Sequence, residues 1–202
     1  MPPKPTAKPK GDYIETDTGN KVARKNQLYG TQHIILGGRT VIESEVCIRG
    51  DLIRLLPPQP TDPTSKPSAP PHPNTSVTIG RYTYISKGSI LKPPSRLHKG
   101  VVSYHPLKIG DHTFVGERCV IEAASIGDHV HIERGVVVGK MCVVRDWARL
   151  LEGSVLAEGT VVMSGFVFGG VPAREVGEVG VGWGACEGME GGDLRGRWRG
   201  VG

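Results

Sequence analysis

From Ile109 onward an aliphatic or aromatic residue returns every six positions: Ile109, Val115, Ile121, then Ile126, Ile132, Val138, Val144, Leu150, Leu156, Val162 and Phe168. One step, from Ile121 to Ile126, is five residues long and reads as a deleted corner residue. The fifth position of each unit holds Thr113, Cys119, Ser125, Val130, Val136, Cys142, Ala148, Ser154, Thr160, Phe166 and Pro172, most of them small. Glycine recurs at the second position, at Gly110, Gly116, Gly127, Gly139 and Gly169. There it is expected to supply backbone conformations that a corner demands and other residues resist.

A short strand and a tight corner, repeated three times, make one triangular turn of about eighteen residues in a parallel β-helix. Turns stack at the strand spacing of about 4.8 Å. The register therefore predicts three interior columns: Ile109, Ile126, Val144 and Val162; Val115, Ile132, Leu150 and Phe168; Ile121, Val138 and Leu156. Each buried aliphatic contributes about 1.5 to 3 kcal/mol, but only when the next turn covers it, so the columns are stable collectively. Earlier fragments keep the same spacing, with Leu36, Ile42 and Ile48 and then Ile79, Ile85 and Leu91. The fold class expected is all-β, a single-stranded parallel β-helix of about six turns. Its left-handedness is implied by likeness to hexapeptide-repeat proteins, since crossovers elsewhere are right-handed.

Composition fits this reading. Aromatics are 5% of the 202 residues and glycine occurs 29 times, which suits a core of small and β-branched side chains in one domain. The net charge of +5 is carried by the two ends: Lys4, Lys8 and Lys10 at one, Arg195, Arg197 and Arg199 less Asp193 at the other. The span between is neutral, so no basic face is laid out for nucleic acid. No apolar run has the length of a membrane span, and the opening MPPKPTAKPK lacks the apolar stretch of a signal peptide. Membrane insertion is not expected and the cytoplasm is the expected compartment. Cys47, Cys119, Cys142 and Cys186 show no CxxC spacing, so reduced structural thiols are expected.

Two stretches interrupt the repeat. Residues 57–76 hold eight of the sixteen prolines and almost nothing apolar, and are expected to loop out as a disordered insertion. The Arg54-x-x-Pro57-x-x-Pro60 pattern within reach of an SH3-like module is read as plain linker. Residues 92–108 carry Leu97, Val101, Val102, Tyr104 and Leu107, so this protruding loop should pack on its own coil or on a partner. The partner-binding candidates are Val101, Val102, Tyr104, His105 and Pro106, together with Arg49 and Asp51 of the IRGDL stretch. The organisation expected is a basic disordered tail over 1–12, a β-helix over 13–176 and a Gly-rich disordered tail over 177–202.

Residues 13–52, from YIETDTGNKVARKNQLYG to VCIRGDL, and residues 79–144, including the LKPPSRLHKGVVSYHPLKIGDHTFVG tract, resemble the dynactin subunit 5 family. The resemblance runs on to about Val179 and covers roughly three quarters of the chain; the proline-rich insertion and the Gly-rich end depart from the pattern. It implies a non-enzymatic scaffold subunit of the dynactin pointed-end complex, on the cytoskeleton. Implied partners are a similar β-helical subunit, the pointed-end actin-related protein, the sixty-two-kilodalton subunit and dynein cargo adaptors, in support of microtubule transport and endosome engagement.

Two enzyme classes share such a fold and set the alternative reading. In γ-class carbonic anhydrases a tract resembling VGHxxxxHG supplies two zinc-binding histidines; the matching VGERCVIEAA places Glu117 and Glu122 there, and Lys92 falls where the third histidine would be. No cofactor is expected from such a set. Arg49 and Asp51 stand where those enzymes keep a structural pair, and are read as an ion pair shaping a turn or an interface. Hexapeptide acyltransferases need a loop histidine as base; His98 and His105 lie in the loop without a partner carboxylate or substrate motif. His112 and His129 should share one outward position in adjacent turns, with His131 two residues along, as a solvated ladder. If the register is right, Ile132→Asp buries an unpaired charge in a central column, and the thermal melt of the variant should collapse relative to the parent.

Overall fold

The computed structural model describes residues 12–53, 75–98, 100–180 and 199–201. The expectations for residues 1–11, for 54–74 with its proline tract, and for 181–198 with Cys186, as well as the His98 side chain, fall outside the described residues. Within them, strands of mostly two or three residues recur three to a turn, and those of the coil pair in parallel with the strand one turn on. The result is a prism with one nine-stranded face and two six-stranded faces.

All three predicted columns form, and each reaches back to the first turn. Val22, Ile42, Ile85, Val115, Ile132, Leu150 and Phe168 line the nine-stranded face in register. Leu28, Ile48, Leu91, Ile121, Val138 and Leu156 line the second face. Leu36, Ile79, Ile109, Ile126, Val144 and Val162 line the third. From Ile42 to Val162 every member is essentially inaccessible to water, and together they form one core.

The fifth positions complete that core and satisfy its polar atoms. Thr40, Thr83, Ser89, Thr113, Cys119 and Cys142 are buried. Each hydroxyl or thiol donates to a corner carbonyl of the next turn: Thr40 to Gly80, Thr83 to Gly110, Ser89 to Gly116, Thr113 to Gly127, Cys119 to Glu133 and Cys142 to Ala157, at 2.8–3.0 Å. Burial pushes the Cys119 thiol up to about 11 and raises Cys142 as well.

The second-position glycines are needed for closeness, and this corrects the conformational reason given above. None of Gly110, Gly116, Gly127, Gly139 and Gly169 has positive φ. A Cβ on Gly127 would lie 2.2 Å from Asp146 Oδ1 and 2.7 Å from its backbone nitrogen, and one on Gly110 would lie 2.2 Å from Asp128 Oδ1. Those aspartates accept backbone N–H groups across turns, Arg81 to Asp111, Asp111 to Asp128 and Asp128 to Asp146, at 2.6–2.8 Å. The left-handed residue sits instead at position four, where Arg39, Tyr82, His112, His129 and Trp147 have φ of 52–62°.

Both edges of the nine-stranded face are closed by antiparallel strands, Tyr13–Glu15 against Lys21–Ala23 at the start and Arg174–Glu178 against Phe166–Gly169 at the end. The domain boundary drawn at Val176 thus falls inside a strand that continues to Glu178. The loop boundary also shifts, because Leu107–Ile109 is a strand paired with Val77–Ile79 and Leu107 is fully buried.

Gly127→Ala should cost about 2 kcal/mol although its φ suits any residue, because Asp146 must move; denaturant melts read this directly. For Cys119, the unfolded thiol ionises more readily than the folded one, so its contribution is present below pH 9 and is lost as pH rises toward 11. Cys119→Ser should flatten the fall in unfolding free energy over that window, and an unaltered slope would show the thiol is not responsible.

Candidate functional surfaces

The 92–106 segment leaves the coil after Leu91 and returns at Leu107. It forms a hairpin in which Ser95–His98 pairs antiparallel with Val101–Tyr104, and the backbone N–H of His105 donates to the Pro94 carbonyl at 2.9 Å to close its base. Leu97 and Val102 are cross-strand partners. Leu97 is 69% exposed, Val101 67% and Val102 54%, whereas Tyr104 and His105 are half-buried and Pro106 is exposed. The loop's apolar residues therefore divide: Leu107 packs in the core and the hairpin tip meets solvent.

Beside the base of the hairpin, Lys92 Nζ lies 3.2 Å from Glu122 Oε1. Lys92 follows Leu91 and Glu122 follows Ile121, and these two aliphatics are stacked turn on turn, which brings the charged side chains together at one corner. Glu122 Oε2 is buried and has no hydrogen-bond partner among the described residues. Glu117 is exposed at a different corner and has no described ion-pair partner. The three positions matched to a zinc site therefore form a salt bridge and a separate carboxylate. This set does not fit zinc, because an ammonium group offers no lone pair and it engages the carboxylate that would be the second ligand. No group of three or more His, Cys, Asp or Glu suited to a metal is present among the described residues.

Arg49 and Asp51 form a two-pronged pair, with Nε and Nη2 each donating at 2.7 Å, and the guanidinium also lies 5.2 Å from the centre of the Tyr29 ring one turn away. The hydrogen bonds from Arg49 hold the Asp51 carboxyl below its usual range and raise the guanidinium. Both side chains remain 38% exposed, so the pair lies at the surface and contributes little to stability.

His112 and His129 stack with ring centroids 4.9 Å apart and planes within 1°. Their ladder is longer than the two histidines: Tyr82 stacks on His112 at 5.0 Å, Trp147 on His129 at 4.1 Å, and Arg39 lies over Tyr82. His131 belongs to another row, stacked on Phe114 at 4.9 Å and buried. Tyr82 and Trp147 share position four with the histidines, which is the signal that sequence reading left unused. A second unused signal lies on the outer side of a six-stranded face, where Cys47, Ile90, Val120, Val137 and Val155 stand in register as an apolar row.

The family model for dynactin subunit 5 matches residues 73–184. The dynactin subunit 5 of Dictyostelium discoideum is 42% identical over 118 residues, covering 58% of this chain and 48% of that protein. A mitochondrial γ carbonic anhydrase of Arabidopsis thaliana is 29% identical over 99 residues, covering 49% of this chain and 35% of that protein. The chain thus spans about half the length, or less, of these curated relatives. Among solved structures, a hexapeptide transferase family protein from Anaplasma phagocytophilum has a TM-score of 0.58 at 18% identity, covering 90% of this chain and 92% of its own. An N-acyltransferase from Bacillus cereus has a TM-score of 0.59 at 13% identity, covering 79% and 81%. At these identities the likeness is one of fold, a left-handed β-helix. The matched tract includes the hairpin, the Lys92–Glu122 corner and most of the coil, and the chain belongs to the dynactin subunit 5 family.

Proposed function

We propose that this chain is a non-catalytic scaffold subunit of dynactin's pointed-end complex, which supports dynein-based transport and the engagement of cargo adaptors. The observation that carries the non-catalytic part is the Lys92–Glu122 salt bridge, 3.2 Å across a corner where the related carbonic anhydrase pattern calls for zinc ligands. A cation bound to a carboxylate can neither hold a metal nor accept a proton from water as a free base. The assembly part is supported by family membership and by the hairpin, whose exposed Leu97, Val101 and Val102 form an apolar tip that solvent contact disfavours.

The partners in this reading are a similar β-helical subunit, the pointed-end actin-related protein, the sixty-two-kilodalton subunit and cargo adaptors, and the place of action is the cytoplasmic cytoskeleton. No helix among the described residues is long and apolar enough to cross a membrane. Val101, Val102, Tyr104, His105 and Pro106 are the proposed contact residues, with Arg49 and Asp51 holding a second exposed turn.

Val102→Asp and Tyr104→Ala should each weaken recovery of dynactin subunits in a cytosolic pull-down while leaving the thermal melt of the isolated chain unchanged. Full recovery with both variants would remove the hairpin from the interface. Purified chain should hydrate carbon dioxide no faster than buffer, with or without added zinc, and metal-dependent turnover would overturn the scaffold reading.

A further inference from the structure

In this coil the residue before each interior aliphatic points outward. On the nine-stranded face those residues stand in register, among them Lys21, Val41, Tyr84, Phe114 and His131. Outer positions on the two other faces meet solvent as expected, with Ile35 47%, Ile90 39% and Val161 50% exposed. The row on the nine-stranded face does not: Val41 is 1% exposed, Tyr84 5%, Phe114 2% and His131 9%, values that belong to a core. Its rings are stacked, Tyr84 on Phe114 at 5.8 Å and Phe114 on His131 at 4.9 Å, so it presents a flat apolar strip across successive turns.

The far end of the chain lies on this strip. Val201 packs against the cluster of Val41, Tyr84 and Phe114, and Lys21 Nζ donates a hydrogen bond to the Val201 carbonyl oxygen. Lys21 belongs to the first turn of the coil, so the contact ties that turn to a residue 180 positions along the sequence. The chemistry is matched on both sides. A branched aliphatic side chain fits a strip of valine and rings, and a lysine at its edge takes the backbone oxygen that such a docked segment must otherwise leave unsatisfied.

We propose that the Val41, Tyr84 and Phe114 stretch of this outer row is a docking surface whose occupant is the chain's own Arg199–Val201 segment, which covers it in cis and leaves assembly to the hairpin and the two six-stranded faces.

The test uses the full chain with V201D, which sets a charge against the strip, and K21M, which removes the ammonium group that donates to the Val201 carbonyl. Carbethoxylation of His131 by diethyl pyrocarbonate is read by mass spectrometry as a ratio to His129, which sits on the same turn at the stacked corner outside the row. V201D should raise the ratio several-fold and increase the fluorescence of an apolar dye such as anilinonaphthalene sulfonate; K21M should raise the ratio less. If V201D fails to fold by circular dichroism, K21M decides on the same ratio. An unchanged ratio in the folded variants would mean that something other than the chain end covers the row, and would overturn the proposal.

Discussion

No hexapeptide in this chain can cover its own aliphatic residue, because a strand of two or three residues has no second layer behind it. Ile132 is shielded only because Val115 lies below it and Leu150 above, in the same register on the same face. The interior rows therefore form together or not at all, and this mutual cover fixes everything else about the molecule. It sets the spacing between turns, and the spacing sets which side chains can meet on the outside. It also explains why the interior tolerates threonine, serine and cysteine at the fifth position: at Thr83, Ser89, Thr113 and Cys119 the turn above offers a carbonyl oxygen at the corner.

The same spacing makes the corners crowded and the outer rows regular. Where Asp111, Asp128 and Asp146 reach across to a neighbouring N–H, the residue beneath the carboxylate has no room for a Cβ, and Gly80, Gly110 and Gly127 occupy those places. At position four a backbone that costs about 1 to 2 kcal/mol for an ordinary residue is nevertheless taken by Arg39, Tyr82, His112, His129 and Trp147. Stacking of the four rings at 4.1–5.0 Å returns part of that cost, since turn spacing and ring spacing nearly coincide.

The coil was legible wherever the period was unbroken. The first turn was not, because the single turn of 3₁₀ helix over Thr31–His33 sets Leu36 eight positions after Leu28, so the six-residue register running back from Leu36 misses Leu28 and Val22. The glycines were found but their reason was not, since a sequence displays residue types and not the distance to the next turn. Lys92, Glu117 and Glu122 could be placed by likeness to a zinc-binding pattern. That two of them pair while Glu117 stays apart depends on which corner each occupies, which only the stacked turns reveal. Tyr84 and Phe114 stood in plain view one position before the interior rows, yet nothing in the repeat says which outer face is covered.

A stack of parallel turns has no intrinsic length, and an unfinished sheet at its top or bottom invites another chain to continue it as a fibre. Here the broadest sheet is finished at both ends by a strand running the other way, Tyr13–Glu15 at one and Arg174–Glu178 at the other. Among the described residues the two other sheets end in strands of only two or three residues, such as Val155–Leu156 and Val161–Val162. Such short edges make poor templates. Growth along the axis is thereby discouraged, which suits a part of fixed size better than a unit of a polymer.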